Sequence, residues 1–342
     1  MLLKLVRIVE ISAYNENSPL HPAARRFLQI YHTVMNWVLE NDSERVGRAY
    51  LRMKDEGRNI INGKLTFLSM DDAYIWTKDW IGQFNEEYDL IVGIPRSGLF
   101  IANIIATKLN RPLATPEMVQ NRQYWMPPYI NLKPFKNILV VEDVTGTAKA
   151  LERVRVIVNE AYPESKVTLA SLMVIHDARN LVDIFYKELD GVGIYEWNLA
   201  HANLGSRVAM DLDGVLCENC PVGFDIDETK YVNWICNARP YIVPYKGIDF
   251  ILTNRLEKYR NQTEEWLRSN GVIYRKLIMW DIPSKADRCG NDAHHKINMV
   301  LEVKPNLMIE SSDSESREIW RATGVPTICT DTMRVYSWGS KL

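Results

Sequence analysis

The chain reads as α/β: two doubly wound parallel-sheet domains in tandem. Three observations predict this. Short apolar runs of strand length alternate with segments of helical spacing, first over residues 65–201 and again from 207 onward. Several of the apolar runs end abruptly in acids or in small-residue loops, as strands do where a parallel sheet turns into its crossover helix. And 342 residues are enough for two hydrophobic cores of ordinary size.

The elements follow in order. Residues 1–64 carry no chemical motif. Within them His21–Leu51 has helical apolar spacing through Phe27, Ile30, Val34, Trp37 and Val38, so the segment is expected to be a helical extension or hood. Residues 65–203 form the first expected domain. Tyr88–Ile94 is an apolar strand that ends in Pro95-Arg96-Ser97-Gly98, followed by a helix over Leu99–Leu109. Pro112–Lys136 is polar, aromatic and aperiodic, and reads as a flap. Ile138–Val141 is a buried strand running into Glu142 and Asp143, a Thr/Gly loop from Thr145 to Lys149 and a helix over Ala148–Ala161. Val167–Ile175 is the next strand, and Trp197–Ser206 the junction. Residues 204–342 form the second expected domain, with strands Arg207–Met210, Asp249–Leu252, Tyr274–Met279 and Asn306–Ile309. Helices are expected over Lys258–Ser269, Asp292–Leu301 and from Asp313 to about Thr323. No internal repeat or low-complexity tract is visible.

Composition narrows the class. With 41 Lys and Arg against 43 Asp and Glu the net charge is −2, which argues against a nucleic-acid partner. No apolar run approaches the ~20 residues of a membrane span, and the N-terminal MLLKLVRIVEI is broken by charges. A cytoplasmic, non-transmembrane protein is expected. The five cysteines are odd in number, and the Cys217/Cys220 pair has no second pair to complete a zinc site.

Two stretches carry chemistry. VVEDVTGTAKAL delivers two carboxylates to a strand end and a small-residue loop to a helix N-terminus, an arrangement suited to a phosphorylated sugar. With IVGIPRSG ahead of it, it resembles the type I phosphoribosyltransferases. That resemblance implies that Glu142 and Asp143 hold the ribose hydroxyls of phosphoribosyl pyrophosphate (PRPP). It implies that Thr145, Gly146, Thr147, Ala148 and Lys149 wrap the 5-phosphate, and that Arg96, Ser97 and Gly98 hold the pyrophosphate with Mg²⁺. The family usually has glycine where this chain has Ala148, so a positive φ there would be strained.

RVAMDLDGVLCE is the second stretch, and with Thr253, Lys296 and Glu310 following in order it resembles the haloacid dehalogenase-like (HAD) phosphatases. The resemblance implies a Rossmann-like domain, and the shortness of Asp213–Thr253 means that any cap over the site is small. Asp211 would be the nucleophile, Asp213 the general acid/base, Thr253 the phosphoryl-holding hydroxyl and Lys296 the neutralising cation. Mg²⁺ would be held by Asp211, Asp213, Glu310 and, in place of a missing second acid at Ser311, Asp313. His294 and His295 are read as structural.

Joined, the two resemblances imply transfer of phosphoribose followed by removal of its 5-phosphate. The pair is similar to the bacterial glycan phosphoribosyltransferase and phosphoribosyl-phosphatase pairs that place ribofuranose in surface polysaccharides, which implies a lipid-linked glycan acceptor. A nucleobase phosphoribosyltransferase fused to a nucleotidase, and a PRPP-sensing domain attached to a phosphatase, remain open alternatives.

Overall fold

The computed structural model describes residues 65–128, 134–189, 192–200, 207–290 and 292–337. The expected helical extension over 1–64 lies outside the described residues. The chain divides into two compact units, one spanning Ile61–Asn198 and the other taking in Leu199–Leu342.

The first unit is built on a five-stranded, all-parallel sheet of β2 (Leu90–Gly93), β3 (Leu113–Ala114), β4 (Asn137–Thr145), β5 (Lys166–Ile175) and β6 (Ile184–Leu189). The spatial order is β3-β2-β4-β5-β6. Alternate residues of β4 feed opposite cores. Leu139 and Val141 pack with Trp80, Ile101 and Ile105 on one face. Ile138 and Val140 pack with Leu151, Val154 and Val158 on the other. The helices covering these faces are α1 (Met70–Ile81), α2 (Ser97–Leu109), α3 (Pro116–Gln120) and α4 (Lys149–Ala161). Helix α1 starts at a capping box, in which Ser69 and Asp72 satisfy each other's backbone N–H groups. A separate two-stranded pair joins β1 (Leu65–Leu68) to β7 (Val192–Tyr195) in parallel.

The second unit holds a six-stranded sheet ordered β10-β9-β8-β11-β12-β13. Its strands are β8 (Val208–Met210), β9 (Ile248–Leu256), β10 (Tyr274–Trp280), β11 (Leu307–Glu310), β12 (Thr327–Cys329) and the antiparallel edge β13 (Arg334–Tyr336). Helices α5 (Glu228–Asn237), α6 (Arg260–Ser269), α7 (Asp292–Val303) and α8 (Asp313–Thr323) complete it. Met299, Val300, Val303 and Ile319 form a core with Ala209, Leu252 and Met308. Helix α8 is capped by Ser312 and closes on Gly324 at φ +70°, the usual glycine stop.

Several expectations shift. Strand β4 runs on through the acids to Thr145, because its pairing with β5 continues to Thr145↔Val174. Strand β9 likewise continues past Leu252 to Leu256, with a register irregularity opposite Ile278 and Trp280. The expected flap is partly regular. It contains β3 and α3, and Leu113 and Trp125 exchange both backbone hydrogen bonds, at 3.0 and 2.8 Å. Strands β1, β6, β7, β12 and β13 and helices α1, α3 and α5 had no counterpart in the sequence reading. The strands among them are short or lie at sheet edges, where alternation is weak.

Candidate active sites

Each unit has one topological switch point, and the motifs meet there. In the first sheet the chain moves from β2 outward to β3, then returns to β4 and continues through β5 to β6 on the other side. The crevice between the ends of β2 and β4 is where an open α/β sheet binds ligands. Strand β2 ends at Gly93 and delivers Pro95–Gly98; β4 ends in Glu142–Thr145. Ile94 donates its N–H to Val141 O at 3.0 Å, and Leu99 donates to Ile94 O at 2.9 Å, so the loop folds tightly back into α2. A Cβ at Gly98 would lie 2.7 Å from Val141 O and 3.0 Å from Glu142 Cα. Only glycine lets the first turn of α2 sit this close to the acids. Ser97 is half-buried and Arg96 is exposed at the α2 N-terminus.

The two acids are consecutive residues of β4, and their carboxyl groups lie within hydrogen-bonding reach of each other. Asp143 is buried and accepts a hydrogen bond from Trp197 Nε1 at 2.9 Å. Trp197 stacks on Tyr195 with ring centroids 5.2 Å apart. The carboxyl of Glu142 is pushed up to about 8, first by burial and then by the neighbouring Asp143, with Arg153 opposing. Thr145 turns inward. Its hydroxyl donates to Ser171 Oγ at 2.9 Å, and Ser171 donates to Met173 O at 2.6 Å. It therefore anchors the loop and offers no side-chain hydroxyl to a ligand. Gly146, Thr147 and Lys149 are exposed. Ala148 is buried and adopts φ +51°, ψ +5° immediately before α4, the left-handed conformation that glycine would take without strain. Amides at a helix N-terminus beside a carboxylate pair suit an anion joined to a polyol.

The second switch point lies between β8 and β11, since the chain goes from β8 out through β9 to β10 and resumes at β11 on the other side. Asp211 follows β8 and Glu310 ends β11. Lys296, on α7 and 3% exposed, reaches both, with Nζ 3.1 Å from Asp211 Oδ2 and 2.7 Å from Glu310 Oε2. Glu315 Oε2 is also 3.1 Å from this ammonium. Burial, then the charge of Glu310, raises the Asp211 carboxyl well above the usual range, while Lys296 opposes. Burial alone would lower the Lys296 ammonium, but Asp211, Glu310 and Glu315 together raise it. Glu310 Oε1 also accepts from the N–H groups of Ser311 and Ser312, at 2.9 and 3.1 Å. Gly214, at φ +84°, sits against Ser311; an added Cβ would be 2.6 Å from Ser311 Cβ. Thr253 is fully buried and accepts from Arg255 N at 3.1 Å.

Asp213 stands apart from the lysine cluster. Arg255, 1% exposed, holds it through Nε–Oδ1 at 3.0 Å, Nε–Oδ2 at 3.2 Å and an NH2–Oδ1 contact of 2.6 Å. Arg255 in turn lies 4.8 Å from the Trp234 ring centroid. Asp313 is not brought to the other acids. It accepts from Arg317 at 2.9 Å, Thr332 at 3.1 Å and Tyr336 at 2.5 Å. Glu315, two residues further along α8 and so on a different face of the helix, lies near Lys296 instead. Three acids thus share the one Lys296 ammonium, and the carboxylates of Asp211 and Glu310 offer the oxygen donors that a hard divalent cation takes. Among the described residues, no three His, Cys, Asp or Glu side chains are grouped to hold a metal ion. His295 stacks on Trp280 with centroids 4.2 Å apart, consistent with a packing role. Cys217 is buried, and all five cysteines are free thiols.

The sequence reading missed Arg255, Glu315 and Trp197. Arg255 and Glu315 lie within two residues of expected site positions. Trp197 is far from Asp143 in sequence, so no local pattern marks it.

Among the described residues no helix is long and apolar enough to cross a membrane. A search of curated proteins finds no match. The chain is similar to the solved structure of a purine phosphoribosyltransferase from Pyrococcus horikoshii, at 18% identity and a TM-score of 0.31 over 39% of this chain and 93% of that one. It is similar to the xanthine-guanine-hypoxanthine phosphoribosyltransferase of Helicobacter pylori, at 17% identity and a TM-score of 0.31, over the same shares of each chain. For orotate phosphoribosyltransferase from Aeropyrum pernix the values are 18% and 0.26, over 34% of this chain and 69% of that one. The family model of the phosphoribosyl transferase domain matches residues 71–207, the stretch that holds both motifs of the first switch point. The first unit thus has the α/β, parallel-sheet fold of the type I phosphoribosyltransferases, and residues 71–207 match the model of their domain.

Proposed function

We propose that the chain transfers phosphoribose from PRPP to a glycan acceptor and then removes the 5-phosphate in its second unit. The observation that carries the reading is the buried Asp211–Lys296–Glu310 cluster at the second switch point, on the same chain as a phosphoribosyltransferase domain.

In the transfer step Glu142 and Asp143 bind the ribose hydroxyls, and Trp197 fixes Asp143. The loop Gly146–Lys149 and the N-terminus of α4 take the 5-phosphate through backbone amides. Arg96, with the amides of Ser97 and Gly98, takes the pyrophosphate and steadies it as it leaves. Most of the acceleration comes from positioning and leaving-group stabilisation.

In the hydrolytic step Asp211 attacks phosphorus, and the P–O bond to the ribose 5-oxygen breaks. Asp213 supplies the proton to that oxygen, then takes one from the water that cleaves the aspartyl phosphate and regenerates Asp211. Arg255 orients Asp213, Thr253 bonds a phosphoryl oxygen and Lys296 offsets the charge. Asp211 and Glu310 are the residues that would hold Mg²⁺ here, with Asp313 directed elsewhere. When bound at either site, Mg²⁺ neutralises phosphate charge.

A sugar acceptor fits the pairing because a 5-phosphate handle is useful on a nucleotide and unwanted on a polysaccharide. The product of Asp211→Asn tests the whole reading. With PRPP, Mg²⁺ and a panel of lipid-linked glycans and nucleobases, this variant should accumulate an acceptor heavier by one phosphate than the wild-type product. Nucleotide formation from a common base would replace the glycan reading with salvage, and loss of PRPP consumption in Asp211→Asn would end the two-step division.

A further inference from the structure

We infer that the cleft on the outer side of α2 is the acceptor site, and that it takes a run of neutral sugar residues; this rests on the transferase reading above. The cleft has a volume of about 630 Å³ and lies between α2 and the segment around Trp125. Three features point to its occupant.

The first is continuity with the donor motifs. Arg96, at the start of α2, lines one end of the cleft. Phe100, also on its wall, packs against Trp197 with centroids 6.1 Å apart, and Trp197 holds Asp143. An acceptor in the cleft therefore has one end beside the residues assigned to pyrophosphate and ribose.

The second is the pattern along α2. Phe100, Asn103, Thr107 and Asn110 all line the cleft at spacings that put them on one helical face. Together they cover about 15 Å of helix axis. Such a stripe is longer than a single ring and alternates amide and hydroxyl groups that both donate and accept. Vicinal sugar hydroxyls need that dual capacity at repeated positions. A lone nucleobase needs a short, flat slot instead.

The third is Trp125. Its side chain lines the opposite wall and is 52% exposed, although its backbone is pinned to Leu113. An indole held in place with half its surface open offers a flat apolar platform, and the C–H face of a sugar ring matches it. Because this side chain is so exposed, replacing it should leave the fold intact.

The test uses the full chain. PRPP binding in the presence of Mg²⁺ is measured by calorimetry, and glycan binding on an array of immobilised bacterial surface oligosaccharides. Trp125→Ala and Asn103→Ala are compared with wild type, and thermal melting confirms that both fold. Wild type should bind a subset of the oligosaccharides, and Trp125→Ala should weaken that binding about tenfold or more. If PRPP binds but no oligosaccharide does, or if both variants bind glycans as wild type does, the cleft assignment is wrong. Saturable binding of adenine, hypoxanthine or orotate that Trp125→Ala abolishes would also overturn it. Failure to bind PRPP would instead count against the transferase reading, whatever the array shows.

Discussion

Gly98 lies directly against Glu142: the Cβ that alanine would add at 98 falls 3.0 Å from the Glu142 Cα and 2.7 Å from Val141 O. The contact holds the loop after β2 against the end of β4, so the residues assigned to pyrophosphate and to ribose are set relative to each other by one missing methyl. Gly98→Ala should push the loop away. We expect a loss of about 1–3 kcal/mol in stability, as for overpacking elsewhere, and at least a comparable loss in PRPP binding. Denaturant titration and calorimetry check the two parts separately.

The reverse change is expected at Ala148. A non-glycine residue at φ +51° carries a steric cost of about 1–2 kcal/mol. Ala148→Gly should recover roughly 1 kcal/mol of this, after the entropy that glycine loses on folding. A higher denaturant midpoint with an unchanged slope is the expected result; a lower midpoint would mean that the Ala148 methyl packing outweighs the strain.

Much of this was legible beforehand. VVEDVTGTAKAL announced a buried strand, its acids and the helix behind them, because four consecutive apolar residues leave little choice but a central parallel strand. The positive φ at Ala148 was also foreseeable as a strained position. Other features were hidden for physical reasons. Strand pairing, not residue type, decides that β4 carries on to Thr145, and a threonine reads the same in a loop or a strand. Asp313 and Glu315 are both acids in the first turn of α8; which one faces Lys296 depends on the helix phase set by Ser312. Edge strands such as β6 and β13 lack an alternating pattern because they are only partly buried.

Glu142 should give the free protein a distinctive pH dependence. Its carboxyl is pushed up to about 8 by burial and by Asp143, while in the unfolded chain a glutamate titrates near ~4.3. Between those values the folded state binds more protons than the unfolded state, so stability falls as pH rises through that window. Glu142→Gln is neutral throughout and lacks this loss. The melting temperature of the variant relative to wild type should thus be close to zero at pH 5 and clearly positive at pH 8.5. A difference that is flat with pH would show that Glu142 is not the titrating group.

Lys296→Met tests the second switch point. The ammonium's own raised pKa leaves its contribution fully present from pH 5 to 8, since loss begins only as pH climbs toward the folded value. Without it, Asp211, Glu310 and Glu315 face one another unbalanced. Removing one partner from a buried charge cluster costs about 3–5 kcal/mol. Protonation of the acids relieves that cost, so the deficit against wild type should be large at pH 8 and shrink toward pH 5. Melting curves across this range give the answer; a deficit independent of pH would assign Lys296 a packing role only.

The pairing of β1 with β7 decides where the chain can be cut. Met70 donates its N–H to Glu196 at 2.7 Å, and Trp197 reaches Asp143, so the strand and turn that close the first unit serve both its entry and its donor edge. Ending the unit ahead of Val192 would strip β1 of its neighbour and Asp143 of its hydrogen-bond donor together. Ending it beyond Asn198 spares both. The last residues before the boundary are thus parts of the transferase that happen to arrive late in the sequence, and a fragment meant to keep PRPP binding has to end after them.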